Sequence, residues 1–456
     1  MLSAATMEVL AYRFNWFDPI DAFHLMKVLL CAVLLWTLFL FARPRLGTLT
    51  AFLGILMLGT YPRFWGDMHF NPKDIPETVF FALTIIMFVT WFEKPSWQRA
   101  LGVGILFGSA LSIKANALFL PLILIIGVLP WQLTWQPWKK VSQHLREYRW
   151  HYGLMIASSL LIHIISWPYL YSNPLRLWDY YSYILSQGER QGASLWNWGP
   201  LIQTLTTMPE IILALLIIGI VIAVKESSST KLPTLRLLLV WAALPIIRTS
   251  LPGMVNFDGI RHFEEFLPAV CLLAAYGGTS IVEWASKRQP KKSRVWTGGL
   301  VLLVVVNIAS IATRYSPYEY LYYNSLVGGL SGANREYAFD EATDYWGASY
   351  RSGIRWLNVN AERNAVLYTP IAEWIVRIPA PIWLRKDISV IPAETIGDSL
   401  AAGRTSYIMF ITRASWYNII ATDCVQRLSP VHEIVVDGVS ILKIYRLIPK
   451  GNSLNR

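Results

Sequence analysis

Apolar runs long enough to cross a bilayer recur along the first 315 residues, and short polar connections separate them. A transmembrane helix needs about 20 apolar residues to cross about 30 Å of hydrocarbon, and shorter runs are tolerated when flanking residues snorkel. The runs lie near 22–42, 47–61, 76–92, 100–113, 115–135, 152–171, 205–224, 236–252, 266–285 and 296–315, the second and fourth being short. They predict about ten transmembrane helices. The 15% of charged residues, against about 25% in a soluble chain, points the same way. Amphipathic aromatics (Trp131, Trp135, Trp138, Trp150, Trp167, Tyr169, Tyr171) cluster near predicted helix ends, where they suit the membrane–water interface.

Alternate connections carry very different numbers of basic residues. One set holds 16: Arg43, Arg45, Lys94, Arg99, Lys139, Lys140, Arg146, Arg149, Lys225, Lys231, Arg236, Lys287, Arg288, Lys291, Lys292 and Arg294. The other holds seven: Arg13, Arg63, Lys73, Lys114, Arg176, Arg190 and Arg261. By the positive-inside rule the first set is cytoplasmic. Residues 62–75, 173–204, 253–265, everything after 316 and the N-terminal stretch are then outside, in a multi-pass protein of the cell membrane. The net charge of +11 is read as this topology signal, not as a nucleic-acid surface. Three cysteines, two of them inside apolar runs, supply neither a disulfide framework nor a zinc site.

After Tyr315 charges return and no further spanning run follows. Asn364–Thr369 and Ser406–Thr412 read as short buried strands, Tyr350–Leu357 has helical spacing, and EIVVDGVSILKIYRL reads as a hairpin turning at Asp437-Gly438. The expected fold is an α-helical polytopic membrane protein over 1–315 with a small extracytoplasmic α/β domain over 316–456. An outside N-terminus without a signal peptide leads us to expect one further helix and an outer loop upstream.

Polar residues gather in four places. PRFWGDMHFNPKDIPE (62–77) sets Asp67, His69, Asp74 and Glu77 among prolines that deny the loop a regular helix. Such carboxylates suit magnesium or manganese, or they orient an acceptor; alternatively they are solvated. In NFDGIRHFEEFLP (256–268), Arg261 and His262 stand beside Asp258, Glu264 and Glu265, a cluster that fits either phosphate recognition or structural ion pairs. Lys114, between two apolar runs, must snorkel or meet an anion. In SPYEYLYYNSLVGGLSGA and FDEATDYWGASYRSGIRWLN, aromatics interleave with Asn324, Gly328, Gly329, Asp340, Asp344 and Trp346, a composition fit for sugar stacking but better suited to a docking seam.

At PRFWGDMHFNPKDIP, LSIKANALFLPL, SWPYLYSNPL, FDGIRHFEEFLP, and PYEYLYYNSLVGGLSGA with DYWG, the chain resembles a bacterial C-type (GT-C) membrane glycosyltransferase of the protein O-mannosyltransferase-like (family 39) group. The resemblance implies transfer of a sugar from a polyprenyl-phosphate donor to a protein, lipid or glycan acceptor on the outer face. It implies Asp74 as the acid near the reacting centre and Lys114 and Arg261 as contacts of the donor phosphate; from the same polar clusters, Asp67 joins Asp74 as a catalytic candidate, and His262, Asp258 and His69 join the substrate-binding candidates. The family's main catalytic acid lies in a first outer loop, and this sequence starts after the matching point. A shortened or noncatalytic relative, or a protein that binds or transports lipid-linked saccharides, is therefore the alternative expectation.

Overall fold

The structure is a computed structural model that describes residues 2–128, 137–173, 175–191, 195–227, 233–335 and 342–448. The chain divides into two compact units, one comprising Met1–Val9 and Ala22–Ser310, the other Leu10–Asp21 and Ile311–Arg456.

The first unit is helical, as lipid requires of a chain that must satisfy every backbone group internally. Helices coincide with all ten expected runs: Pro19–Leu46, Thr48–Gly59, Asp74–Glu93, Trp97–Ile113, Leu120–Gly127, Arg149–Ile165, Glu210–Ser227, Pro233–Ser250, Leu267–Arg288 and Ser293–Tyr315. Among the described residues, four segments are long and apolar enough to cross a membrane by themselves: Pro19–Leu46, Asp74–Glu93, Arg261–Arg288 and Pro290–Tyr315. The expected run 205–224 crosses a break, because helix Gly199–Thr207 and its successor meet at a bend of 117°. Pro209 accounts for the break, since it has no N–H to continue the first helix. The run 152–171 likewise ends early, at Ile165, ahead of the Trp167-Pro168 step. The end of the run 115–135 lies outside the described residues.

Small residues let these helices approach closely, as lipid-embedded packing favours. Helices Trp97–Ile113 and Arg149–Ile165 pack through Gly104 and Gly108, where an added Cβ would sit 1.9 Å from Ser158 Oγ and 2.5 Å from Ser159 O respectively. This contact fixes the end of helix Trp97–Ile113, and so the place of Lys114.

The second unit holds a five-stranded sheet in the order β2-β1-β3-β5-β4, comprising β1 (Val366–Tyr368), β2 (Ser389–Val390), β3 (Ser406–Ile411), β4 (His432–Val436) and β5 (Val439–Leu447). β1 pairs in parallel with β2 and β3, whereas β5 runs antiparallel to β3 and β4. The β4–β5 turn falls at Asp437 (φ 45°) and Gly438 (φ 78°), two left-handed positions that suit this Asp-Gly pair. Helix Ser349–Asn360 buries Tyr350, Ile354 and Leu357 in one apolar core with Leu367, Met409, Phe410 and Leu442 of the sheet. Residues 10–21 join this unit through Arg351, which grips Asp21 with two bonds of 2.6 and 2.8 Å and reaches Asp18 at 3.5 Å.

Candidate functional site

Within the first unit, charged side chains from five segments gather around Asp74. The stretch read as an irregular loop is partly regular. Pro62–Phe70 is a helix with Pro62 in its first turn, where a missing N–H costs nothing; Pro72 falls in the break, and Pro76 lies in the first turn of Asp74–Glu93. The prolines therefore start helices here instead of preventing them.

Asn71 organises the break. Its side-chain oxygen accepts the backbone N–H groups of Lys73 (3.0 Å) and Asp74 (2.8 Å), and its amide donates to Asp74 Oδ2 at 2.8 Å. Asp74 Oδ1 in turn accepts Lys114 Nζ at 2.8 Å. The pair is largely withdrawn from solvent, with side-chain exposures of 11% for Lys114 and 6% for Asp74. Lys114 stands just past helix Trp97–Ile113, in extended backbone ahead of the 3-10 turn Ala115–Phe119.

The carbonyl of His262 is the second focus. It accepts Asn116 Nδ2 at 2.7 Å, Arg248 Nη2 at 3.0 Å and, more distantly, Lys114 Nζ at 3.5 Å. Arg248 also pairs with Glu265 at 3.0 Å, and both side chains are buried. Next to this, Arg261 pairs with Asp258 at 2.8 Å and lies over the Phe257 ring at 4.8 Å. Asp258 and Gly259 both have positive φ, and Gly259 leaves room for Arg63, whose Nη1 would lie 2.4 Å from an added Cβ.

Lys73 adds an exposed cation at the rim of this group. Partial desolvation, followed by the charge of nearby Lys114, holds its pKa below the usual lysine range. Clustered cations of this kind are stabilised by an anion. Tyr180, on helix Arg176–Gln191, also stands within electrostatic reach of Lys114, its ring edge-on to Trp167 at 4.7 Å.

Asp67 and His69 lie apart from the Asp74–Lys114 pair. Asp67 is fully buried and faces the carboxyl of Glu264 and the ammonium of Lys27. Lys27 Nζ donates to His24 Nδ1 at 2.6 Å and to the His69 carbonyl at 3.3 Å, while the His69 ring bonds the Trp65 carbonyl of its own helix. Among the described residues no group of three or more His, Cys, Asp or Glu side chains could hold a metal ion. The acids considered for magnesium or manganese do not converge. Asp74 is engaged by Lys114 and Asn71, and Asp67 faces Glu264.

Sequence reasoning singled out Asp74, Lys114, Arg261, His262 and Asp258, which the fold brings into one neighbourhood. It passed over Asn71, Asn116 and Arg248. The first two are uncharged, and Arg248 looked like one basic residue at the end of an apolar run. The step Asn-Pro before Lys73-Asp74 was the available signal for Asn71, since Asn bonds its own backbone two or three residues on.

Residues 17–167 match the family described as dolichyl-phosphate-mannose-protein mannosyltransferase. No curated protein matches the chain. Solved structures to which the chain is similar include two of ArnT from Cupriavidus metallidurans. The structure bound to undecaprenyl phosphate has a TM-score of 0.49 at 12% identity, covering 96% of this chain and 86% of that one. The apo structure has a TM-score of 0.49 at 12% identity, covering 98% and 87%. The family match contains Asp67, His69, Asp74 and Lys114, and over this third of its length the chain resembles the protein mannosyltransferases.

Proposed function

We propose that this protein transfers a sugar from a polyprenyl-phosphate donor to an acceptor on the outer face of the membrane. The observation that carries the reading is the Asp74–Lys114 pair, set near Lys73 and Arg261. A phosphate leaving group calls for such cations, and a carboxylate beside them can act on the acceptor. In the reaction the acceptor oxygen attacks the anomeric carbon and the bond from that carbon to the phosphate oxygen breaks. The phosphate departs with the electron pair, and the acceptor proton passes to a carboxylate, for which Asp74 is the candidate. Lys114 and Arg261 contact the departing phosphate. Asp258 holds Arg261 in place and the His262 carbonyl lies beside Lys114, while Asp67 and His69, set apart from the pair, take no part in the step.

Lys114→Ala and Arg261→Ala should chiefly weaken use of the donor, raising its KM about tenfold or more while changing kcat less. Steady-state transfer by the purified full-length protein, with a polyprenyl-phosphate sugar as the varied substrate, reads this directly. Unchanged donor kinetics in both variants would remove the cationic phosphate site.

The sidedness of this reading is tested separately. The three cysteines are buried, so engineered thiols report cleanly. In intact cells an impermeant maleimide should label Val359→Cys, an exposed position of the second unit, and spare Lys291→Cys. The reverse pattern would invert the topology drawn from the basic residues.

A further inference from the structure

Arg248 has no role in the proposed chemistry, yet its buried guanidinium lies one carbonyl away from Lys114. A backbone carbonyl has two lone pairs and so fully satisfies two donors. Three side chains from two segments, Lys114 and Asn116 on one and Arg248 on the other, compete for the carbonyl of His262, and the distances rank them. Asn116 at 2.7 Å and Arg248 at 3.0 Å occupy it, whereas Lys114 at 3.5 Å is left at the limit of a hydrogen bond. An ammonium has three donors, and only the one to Asp74 is short and well made here.

We propose that Arg248 is a positioning residue for the donor site: by filling the His262 carbonyl and anchoring Glu265, it keeps the remaining donors of Lys114 available to the donor phosphate. The inference rests on the function proposed above. Glu265 fixes Arg248 from the far side, and the Phe119 ring, 5.4 Å from the guanidinium, covers it. Without Arg248 the vacated lone pair and the released Glu265 carboxylate would both attract Lys114. The ammonium would then turn inward, and an incoming anion would have to compete with those two acceptors. The effect is on binding through Lys114, not on bond breaking.

The test measures binding of a long-chain polyprenyl phosphate in detergent micelles to the full-length protein, alongside donor KM and kcat. Arg248→Gln should weaken binding about tenfold and raise donor KM in proportion, with a smaller fall in kcat, and Arg248→Lys should restore part of the loss. The decisive arm is the double variant. In a Lys114→Ala background, Arg248→Gln should cost little more, because the route of its effect has been removed. A loss of the same size in both backgrounds, or wild-type binding by Arg248→Gln, would overturn the positioning role while leaving the proposed function standing. Absence of binding by the wild type would instead overturn the proposed function, and this inference with it.

Discussion

Asp74→Asn is expected to abolish sugar transfer, lowering kcat by about 10²–10⁴-fold if this carboxylate takes the acceptor proton. The substitution keeps the shape of the side chain and removes its charge. An amide oxygen still accepts Lys114, but the new NH₂ group meets the amide of Asn71, which now donates to Asp74 Oδ2 at 2.8 Å. Asn71 cannot simply flip, because its own oxygen is held by the N–H groups of Lys73 and Asp74. One buried donor is therefore left poorly paired, at a cost of about 1–3 kcal/mol. That is small enough for the full-length protein to be made and inserted, so expression and detergent-solubilised yield should stay near wild type. Asp74→Ala is the harsher control, since stripping a buried cation of its partner costs about 3–5 kcal/mol. A variant Asp74→Asn that transfers sugar at more than about a tenth of the wild-type rate would show that Asp74 only holds Lys114. The chain would then need its base elsewhere.

What the sequence disclosed and what it hid follow from the kind of signal each part leaves. The helices were legible because a bilayer imposes length and apolarity on consecutive residues, and the alternation of basic connections orders them. The sheet unit was legible from strand patterning and the Asp-Gly turn at 437–438, which the structure places between β4 and β5. The bend at Met208–Pro209 was less visible, because hydropathy does not distinguish a straight run from two helices meeting at 117°. At the site the acids and Lys114 stood out as charges at the edge of apolar runs. Their pairing did not. Asp74 and Lys114 lie 40 residues apart, and the ties that set them, Asn71 to a backbone turn and Asn116 and Arg248 to one carbonyl, are bonds to main-chain atoms that leave no residue-type pattern. The same blindness affected the aromatic and acidic stretch after Tyr315. Asp340 lies outside the described residues, but Asp344 is plainly resolved as a structural centre of its own unit.

Asp344→Ala is accordingly expected to destabilise the second unit on the order of 3–5 kcal/mol. The carboxylate has no exposed surface. Its Oδ1 accepts Tyr320 OH at 2.7 Å and the backbone N–H groups of Trp346 (3.1 Å), Gly347 (2.7 Å) and Ala348 (3.3 Å). Oδ2 accepts the N–H and hydroxyl of Ser349 at 2.8 and 2.6 Å. These bonds define the entry to helix Ser349–Asn360, whose apolar face is part of the core of this unit. Hydrogen bonds to a charged group contribute about 1.5–3 kcal/mol each, but neighbouring ones do not add, which sets the figure below their sum. Removing the acceptor strands a buried phenol, a buried hydroxyl and several amides, unless residues 342–349 unravel into water. In the full-length protein limited proteolysis should then cut within that stretch at a protease level the wild type resists. Asp344→Asn, which keeps the shape but turns one acceptor into a donor, should fall between the two. A melting temperature of Asp344→Ala within about 2 °C of wild type, with the proteolytic pattern unchanged, would mean that the loop is held by its aromatic contacts and not by this carboxylate. Tyr320 and Tyr345, whose rings meet edge-on with centroids 5.5 Å apart, would be the next residues to replace.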